Sequence, residues 1–251
     1  MTSPRPLNAR PPLAAVIFDL DDTLHDDTAT YRGAAARVAR DVAAERGVAH
    51  DALLAAYIAQ AERFWSGLDA ATLATPLAGL RAEMWHAALG ACGIDDRALA
   101  GRCGTAYNAY RRDLLELWPG ARELLASLRD RGYLLALITN GFSETHRDKI
   151  AALGLDDAFD AIFIADEVGM VKPDARLFLL AAQRLGVAPA ACAMVGDRFD
   201  RDVRGGAAVG MFTVWLNVRG EPLPDDLRAD AVVPDLAGVE GALPLVRKRP
   251  R

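Results

Sequence analysis

The sequence predicts an α/β fold, a doubly wound parallel sheet with an all-helical segment inserted after its first strand. Three observations carry that prediction. Short, continuous apolar runs recur along the chain, and most stop abruptly at polar residues. Stretches of helical periodicity separate the later runs, the pattern of parallel βαβ units. Between the first and second runs, residues 28–112 show helical spacing and no strand pattern.

The first run is Ala14-Ala15-Val16-Ile17-Phe18, which ends in Asp19-Leu20-Asp21-Asp22. A run apolar at every position suits a strand buried on both faces, with its carboxyl end opening into a loop. From Thr28 to Arg112 apolar residues recur at helical spacing, as in Val38, Val42 and Ala43 or Leu53, Leu54, Tyr57 and Ile58. Gly47, Gly67, Gly90 and Gly104 interrupt them. About four helices are expected there. Pro119 is expected to open a helix through Leu128 from a first-turn position. Strands follow at Tyr133–Thr139, Ala161–Ala165, Cys192–Val195, Met211–Leu216 and Ala231–Val233. Helices are expected over Glu144–Leu153, Asp174–Leu185 and Asp202–Val209. The implied organisation is a leader at 1–13, an α/β domain from 14–24 and 117–243, a helical insertion at 25–116 and a basic tail at 244–251.

Composition narrows the function. The chain has 251 residues, 52% of them hydrophobic, enough for a sizeable core. Its net charge of -5 offers no basic surface for nucleic acid. The run Arg247, Lys248, Arg249 and Arg251 reads as a solvated tail. Three cysteines, an odd number without CxxC spacing, argue for a reduced cytoplasmic protein with neither a disulfide framework nor a zinc site. No apolar stretch reaches membrane length, and the proline-rich start lacks the apolar segment of a secretory signal. A monomer or homodimer is expected.

In open α/β sheets ligands bind outside the carboxyl ends of the strands. The polar punctuation falls there. Asp19 and Asp21 stand two apart just past a strand. Carboxylates that close repel, so they need a cation or a shared proton, and a hard divalent ion with oxygen ligands fits. One can then attack an electrophile while the other exchanges protons. Thr139 and Asn140 end the second strand, where a hydroxyl and backbone N–H groups can donate to phosphate oxygens, although in isolation a plain turn hydroxyl is the favoured reading. Lys172 is stiffened by Pro173 and precedes a helix, an unfavourable place for an idle cation. Fixed there, it could neutralise a phosphoryl oxygen and Asp19. Asp197 ends the fourth strand and Asp202 lies five residues on; both could ligate a metal. Asp202 equally suits a helix N-terminal acid, and Asp200 suits its cap.

Together FDLDDTL (18–24), ITNG (138–141), VKPD (171–174) and GDRFDRD (196–202) resemble the haloacid dehalogenase-like (HAD) hydrolase superfamily. The match covers Ala14 to Thr23 and Pro119 to Val233. The helical insertion is similar to the family's cap, which covers the active site. The resemblance implies a Mg²⁺-dependent phosphatase acting on a small phosphorylated metabolite, a sugar phosphate or nucleoside monophosphate. Asp19 would attack phosphorus and form an aspartyl-phosphate. Asp21 would protonate the leaving oxygen and then activate water. Mg²⁺ would bind the Asp19 and Asp197 side chains and the Asp21 carbonyl, with Asp202 nearby. Thr139, Asn140 and Lys172 would hold the phosphoryl group. Dehalogenases of the family place a non-acidic residue at Asp21, and its sugar phosphomutases usually carry glycine at Asp22. A phosphomutase, or a non-catalytic binding protein, is the alternative. Within the insertion, His25, Arg32, Arg63, Phe64, Trp65, Trp85 and Arg111 are candidate pocket residues. Arg198 could reach substrate, and His146 is expected on a helix surface.

Overall fold

The structure, a computed structural model, describes residues 11–244 apart from 70 and 227. Most of the expected leader and the arginine- and lysine-rich run of the tail lie outside the described residues. In chain order the elements are β1 (Ala15–Phe18), α1 (Asp27–Arg46), α2 (His50–Ser66), α3 (Leu77–Ala91), α4 (Arg97–Asp113), α5 (Ala121–Asp130), β2 (Leu134–Thr139), α6 (Ser143–Ala152), β3 (Ala161–Ile164), α7 (Ala165–Val168), α8 (Ala175–Arg184), β4 (Cys192–Gly196), α9 (Arg204–Ala208), β5 (Phe212–Leu216), β6 (Ala231–Val233) and α10 (Val239–Ala242). They fall into two compact units. One holds Met1–His25, Leu117–Asn140 and Gly154–Arg251; the other holds Asp26–Glu116 and Gly141–Leu153.

The first unit is the expected doubly wound sheet, with strand order β3-β2-β1-β4-β5-β6 and every neighbouring pair parallel. The order reverses between β1 and β4, and at such a switch point the connections that leave the two strands run in opposite directions and open a crevice at their carboxyl ends. Register sets Phe18 beside Leu137 on one side and Val195 on the other. Asp19, Thr139 and Asp197 therefore leave the same edge of the sheet. Ile17, Ile138 and Met194 pack one face against Leu177, Phe178 and Ala181 of α8. Fully burying Leu177 and Phe178 is worth about 2–3 kcal/mol each.

Two local expectations are corrected. Helix α5 starts at Ala121 behind Gly120, whose φ of 82° sets the turn, so Pro119 precedes the helix instead of opening it. Residues 199–203 form a π-helical turn before α9, so no regular α-helix starts at Asp202. The turn brings Asp202 against Gly196, where a Cβ would overlap the Asp202 carboxylate. A wide turn fed by a side-chain-less neighbour leaves no periodicity to read.

The second unit is helical. Asp26 caps α1 by accepting from the Ala29 N–H at 2.8 Å, and Asp96 caps α4 from the Leu99 N–H at 2.8 Å. Its core gathers Leu53, Tyr57, Trp85, Leu89, Leu99 and Tyr107. Trp85 lies flat on Tyr57 with ring centroids 3.9 Å apart and is fully buried. It is a packing residue, not a pocket wall. His146 is buried as well, contrary to the expected surface position. Its ring occupies space that a Cβ on Gly141 would fill, and its Nδ1–H donates to the Phe142 carbonyl at 3.1 Å.

Candidate active site

Every element of the site lies in the sheet unit. The Asp19 N–H donates to the Val195 carbonyl at 2.9 Å, which continues the β1–β4 ladder one residue past the strand and fixes where the carboxylate leaves it. The side chain then has two donors. Lys172 Nζ lies 2.6 Å from Oδ1, and the Thr23 hydroxyl donates to Oδ2 at 3.1 Å. Lys172 Nζ also reaches Asp202 Oδ1 at 2.7 Å, and Asp202 Oδ2 accepts the Arg198 N–H at 3.0 Å. All three charged groups are nearly inaccessible: Asp19 is 5%, Lys172 3% and Asp202 0% exposed.

Lys172 is held by its backbone. Asn140 Oδ1 accepts the Lys172 N–H at 2.8 Å, and Asn140 Nδ2 donates to the Lys172 carbonyl at 3.1 Å. The Asn140 amide thus clamps the loop that carries the lysine, a role its position after β2 does not announce. Thr23 is a second hidden organiser: the oxygen that donates to Asp19 accepts the Asp197 N–H at 3.1 Å.

Asp197 projects from the end of β4, with its carbonyl accepting the Trp215 indole N–H at 2.8 Å. Its Oδ1 is buried without a hydrogen-bond partner among the described residues, and so is the Thr139 hydroxyl. Buried polar atoms are normally satisfied, so each is poised for a group from outside the chain. Carboxylate oxygens of Asp19, Asp197 and Asp202 lie within 4.8 Å of one another. Asp21 is not part of that cluster; its Oδ1 lies 2.9 Å from Nε2 of fully buried His25. His25 therefore belongs beside the acid pair and not among pocket-lining residues of the insertion. Asp22 takes a left-handed turn, φ 60°, and pairs with Arg219 at 2.5 Å.

Electrostatics follow from three carboxylates facing one ammonium. Burial pushes Asp19 up to about 7 despite the pull of Lys172, with Asp202 and Asp21 adding to the rise. Burial, then Asp19 and Asp202, hold Asp197 well above the usual carboxylate range. Burial tends to strip the Lys172 proton, but Asp19 and Asp202 outweigh it and leave the lysine above its ordinary value. The cluster is short of positive charge. Hard oxygen donors, a buried free oxygen on Asp197 and this deficit fit a small divalent cation.

Most of the remaining candidate side chains have partners of their own. Arg198 is exposed and pairs with Asp200 at 3.2 Å. In the helical unit Arg32 pairs with Glu62 at 2.6 Å on the surface, and Arg63 is exposed. Phe64 and Trp65 meet edge to face, 5.0 Å between centroids, and Arg111 binds Asp27.

Comparison with known proteins places this geometry. Residues 13–210 match the family described as haloacid dehalogenase-like hydrolase. A phosphoserine phosphatase from Thermus thermophilus is 42% identical over 123 residues, covering 49% of each chain. An N-acylneuraminate-9-phosphatase from Rattus norvegicus is 32% identical over 209 residues, 82% of this chain and 83% of the relative. The chain thus spans about half the length of the first of these relatives and most of the second. A solved HAD-hydrolase from Bacillus subtilis, YfnB with magnesium bound, superposes at a TM-score of 0.76. At 21% identity it covers 93% of this chain and 99% of its own, a likeness of fold.

Proposed function

Because the chain belongs to the haloacid dehalogenase-like hydrolases, we propose that it hydrolyses phosphomonoesters of small metabolites through an aspartyl-phosphate on Asp19. The observation that carries this reading is the paired restraint on Asp19. Lys172 and Thr23 take one oxygen each, which orients the carboxylate as a nucleophile just past β1. The names of the two relatives above, both phosphatases, support the same reaction class.

In the first step an Asp19 oxygen attacks phosphorus and the ester P–O bond breaks. The leaving oxygen takes the proton of the Asp21 carboxyl. In the second step water attacks phosphorus, gives a proton to the Asp21 carboxylate, and the bond to Asp19 breaks to release phosphate. The Lys172 ammonium and the Thr139 hydroxyl, with a free donor at the sheet edge, stabilise the charge spread over the phosphoryl oxygens. Asp19, Asp197 and Asp202 would hold Mg²⁺. When bound there, the ion supplies the positive charge that lets an ionised carboxylate approach an anionic ester.

The test is phosphate release from a panel of phosphorylated metabolites by the purified protein and its Asp19→Asn variant. Release by the parent and loss of turnover in the variant is the expected pair of results. Equal release by both would remove Asp19 from the chemistry.

A further inference from the structure

The helical unit contains a cavity of about 230 Å³, lined in part by Arg81, Asn108, Arg111, Arg112, Glu144, Asp148 and Lys149. Four cations and two carboxylates face it, so its lining is net positive. Two of the cations are deeply buried: Arg81 is 4% and Lys149 2% exposed. Burying a charge is costly unless an opposite charge meets it.

Lys149 has such a partner in Asp27, 2.9 Å away, and Arg111 binds the same carboxylate. Arg81 does not. Its guanidinium lies over the Tyr107 ring, 5.3 Å from the centroid, and donates to the amide oxygen of Asn108. Among the described residues it makes no ion pair. Burial and the like charge of Arg111 press its pKa downward, and Glu144, which also lines the cavity, offsets them only in part. A guanidinium carries five N–H donors in a planar fork matched to carboxylate and phosphate, and Asn108 takes one.

We propose that this cavity binds a small carboxylate- or phosphate-class anion, gripped by Arg81 with Lys149 and Arg111 beside it. Asn108 and Tyr107 hold the guanidinium in place while the ligand supplies the missing negative charge. The ligand is a free effector, and its binding does not depend on the phosphatase reading.

Calorimetric titration of the full chain with malonate tests the binding itself. The parent protein binds, and Arg81→Gln and Lys149→Gln each weaken binding at least ~10-fold, the effect of losing one charge-assisted hydrogen bond. Circular dichroism verifies folding, and if one variant fails to fold the other carries the test. As a free effector, malonate alters turnover of p-nitrophenyl phosphate in the parent and not in the variants. A parent protein that fails to bind malonate, or binds it as tightly as both variants, overturns the proposal. Absence of any ester hydrolysis would count against the phosphatase reading and leave the titration interpretable.

Discussion

The Nε2 atom of His25 lies 2.9 Å from Oδ1 of Asp21, and the histidine is completely buried. Backbone bridges from His25 to Asp21 and to Leu117 fix the loop on either side. When Asp21 is ionised, the Nε2–H donates to it and sets the direction in which the carboxylate faces.

His25→Ala is therefore expected to lower kcat about tenfold with KM little changed, the effect of losing one charge-assisted hydrogen bond. His25→Gln, which can still donate, recovers most of the rate. Steady-state kinetics on a chromogenic phosphate ester decide it. Equal kcat loss in both variants, at matched unfolding temperatures, would show that packing alone is at stake.

Lys172 neutralises two buried carboxylates, so Lys172→Met has two consequences. Stability falls by about 3–5 kcal/mol because Asp19 and Asp202 are left facing each other without a cation. Turnover falls by at least ~100-fold with the loss of the phosphoryl clamp. Denaturant unfolding and kinetics measure the two separately. Near-parent values of both would exclude the lysine from the role given to it.

Removal of divalent metal with a chelator is expected to abolish phosphate release, and added Mg²⁺ to restore it. The acidic cluster also predicts that Mg²⁺ raises the unfolding temperature of the parent, and of Asp197→Asn less. Indifference of both activity and unfolding to the chelator would place the chemistry outside metal-assisted hydrolysis.

Burial pushes the Cys103 thiol up to about 11 and Cys192 to about 12. A raised thiol pKa favours the neutral form in the folded chain. That contribution to stability is complete below the ordinary thiol value and is lost as pH rises toward the folded values. Thiolate is the reactive form, so near neutral pH a thiol reagent should modify only half-buried Cys92 in the native protein. All three cysteines of the chain should react after denaturation. Rapid labelling of Cys192 in the folded state would contradict the packing of β4.

Much of this molecule is legible in its sequence. Runs such as Leu135–Ile138 are apolar at every position because both sheet faces are covered, and the polar residues that stop them mark the crevice edge. Lys172 betrays itself as a cation at a helix start. What the sequence conceals depends on chain segments meeting in space. Nothing near Asn140 signals that its amide clamps Lys172, 32 positions away. His146 sits in the polar run SETHRDK, yet Gly141 makes room for its ring. Arg81 looks like one arginine among many until burial strips it of water.

The most direct test is to quench the protein in acid during turnover and digest it for mass spectrometry. One added phosphoryl group is expected on the peptide that contains Asp19, accumulating further in Asp21→Asn as its hydrolysis slows. Turnover with unmodified Asp19 throughout, or with the phosphoryl group on another side chain, would contradict it.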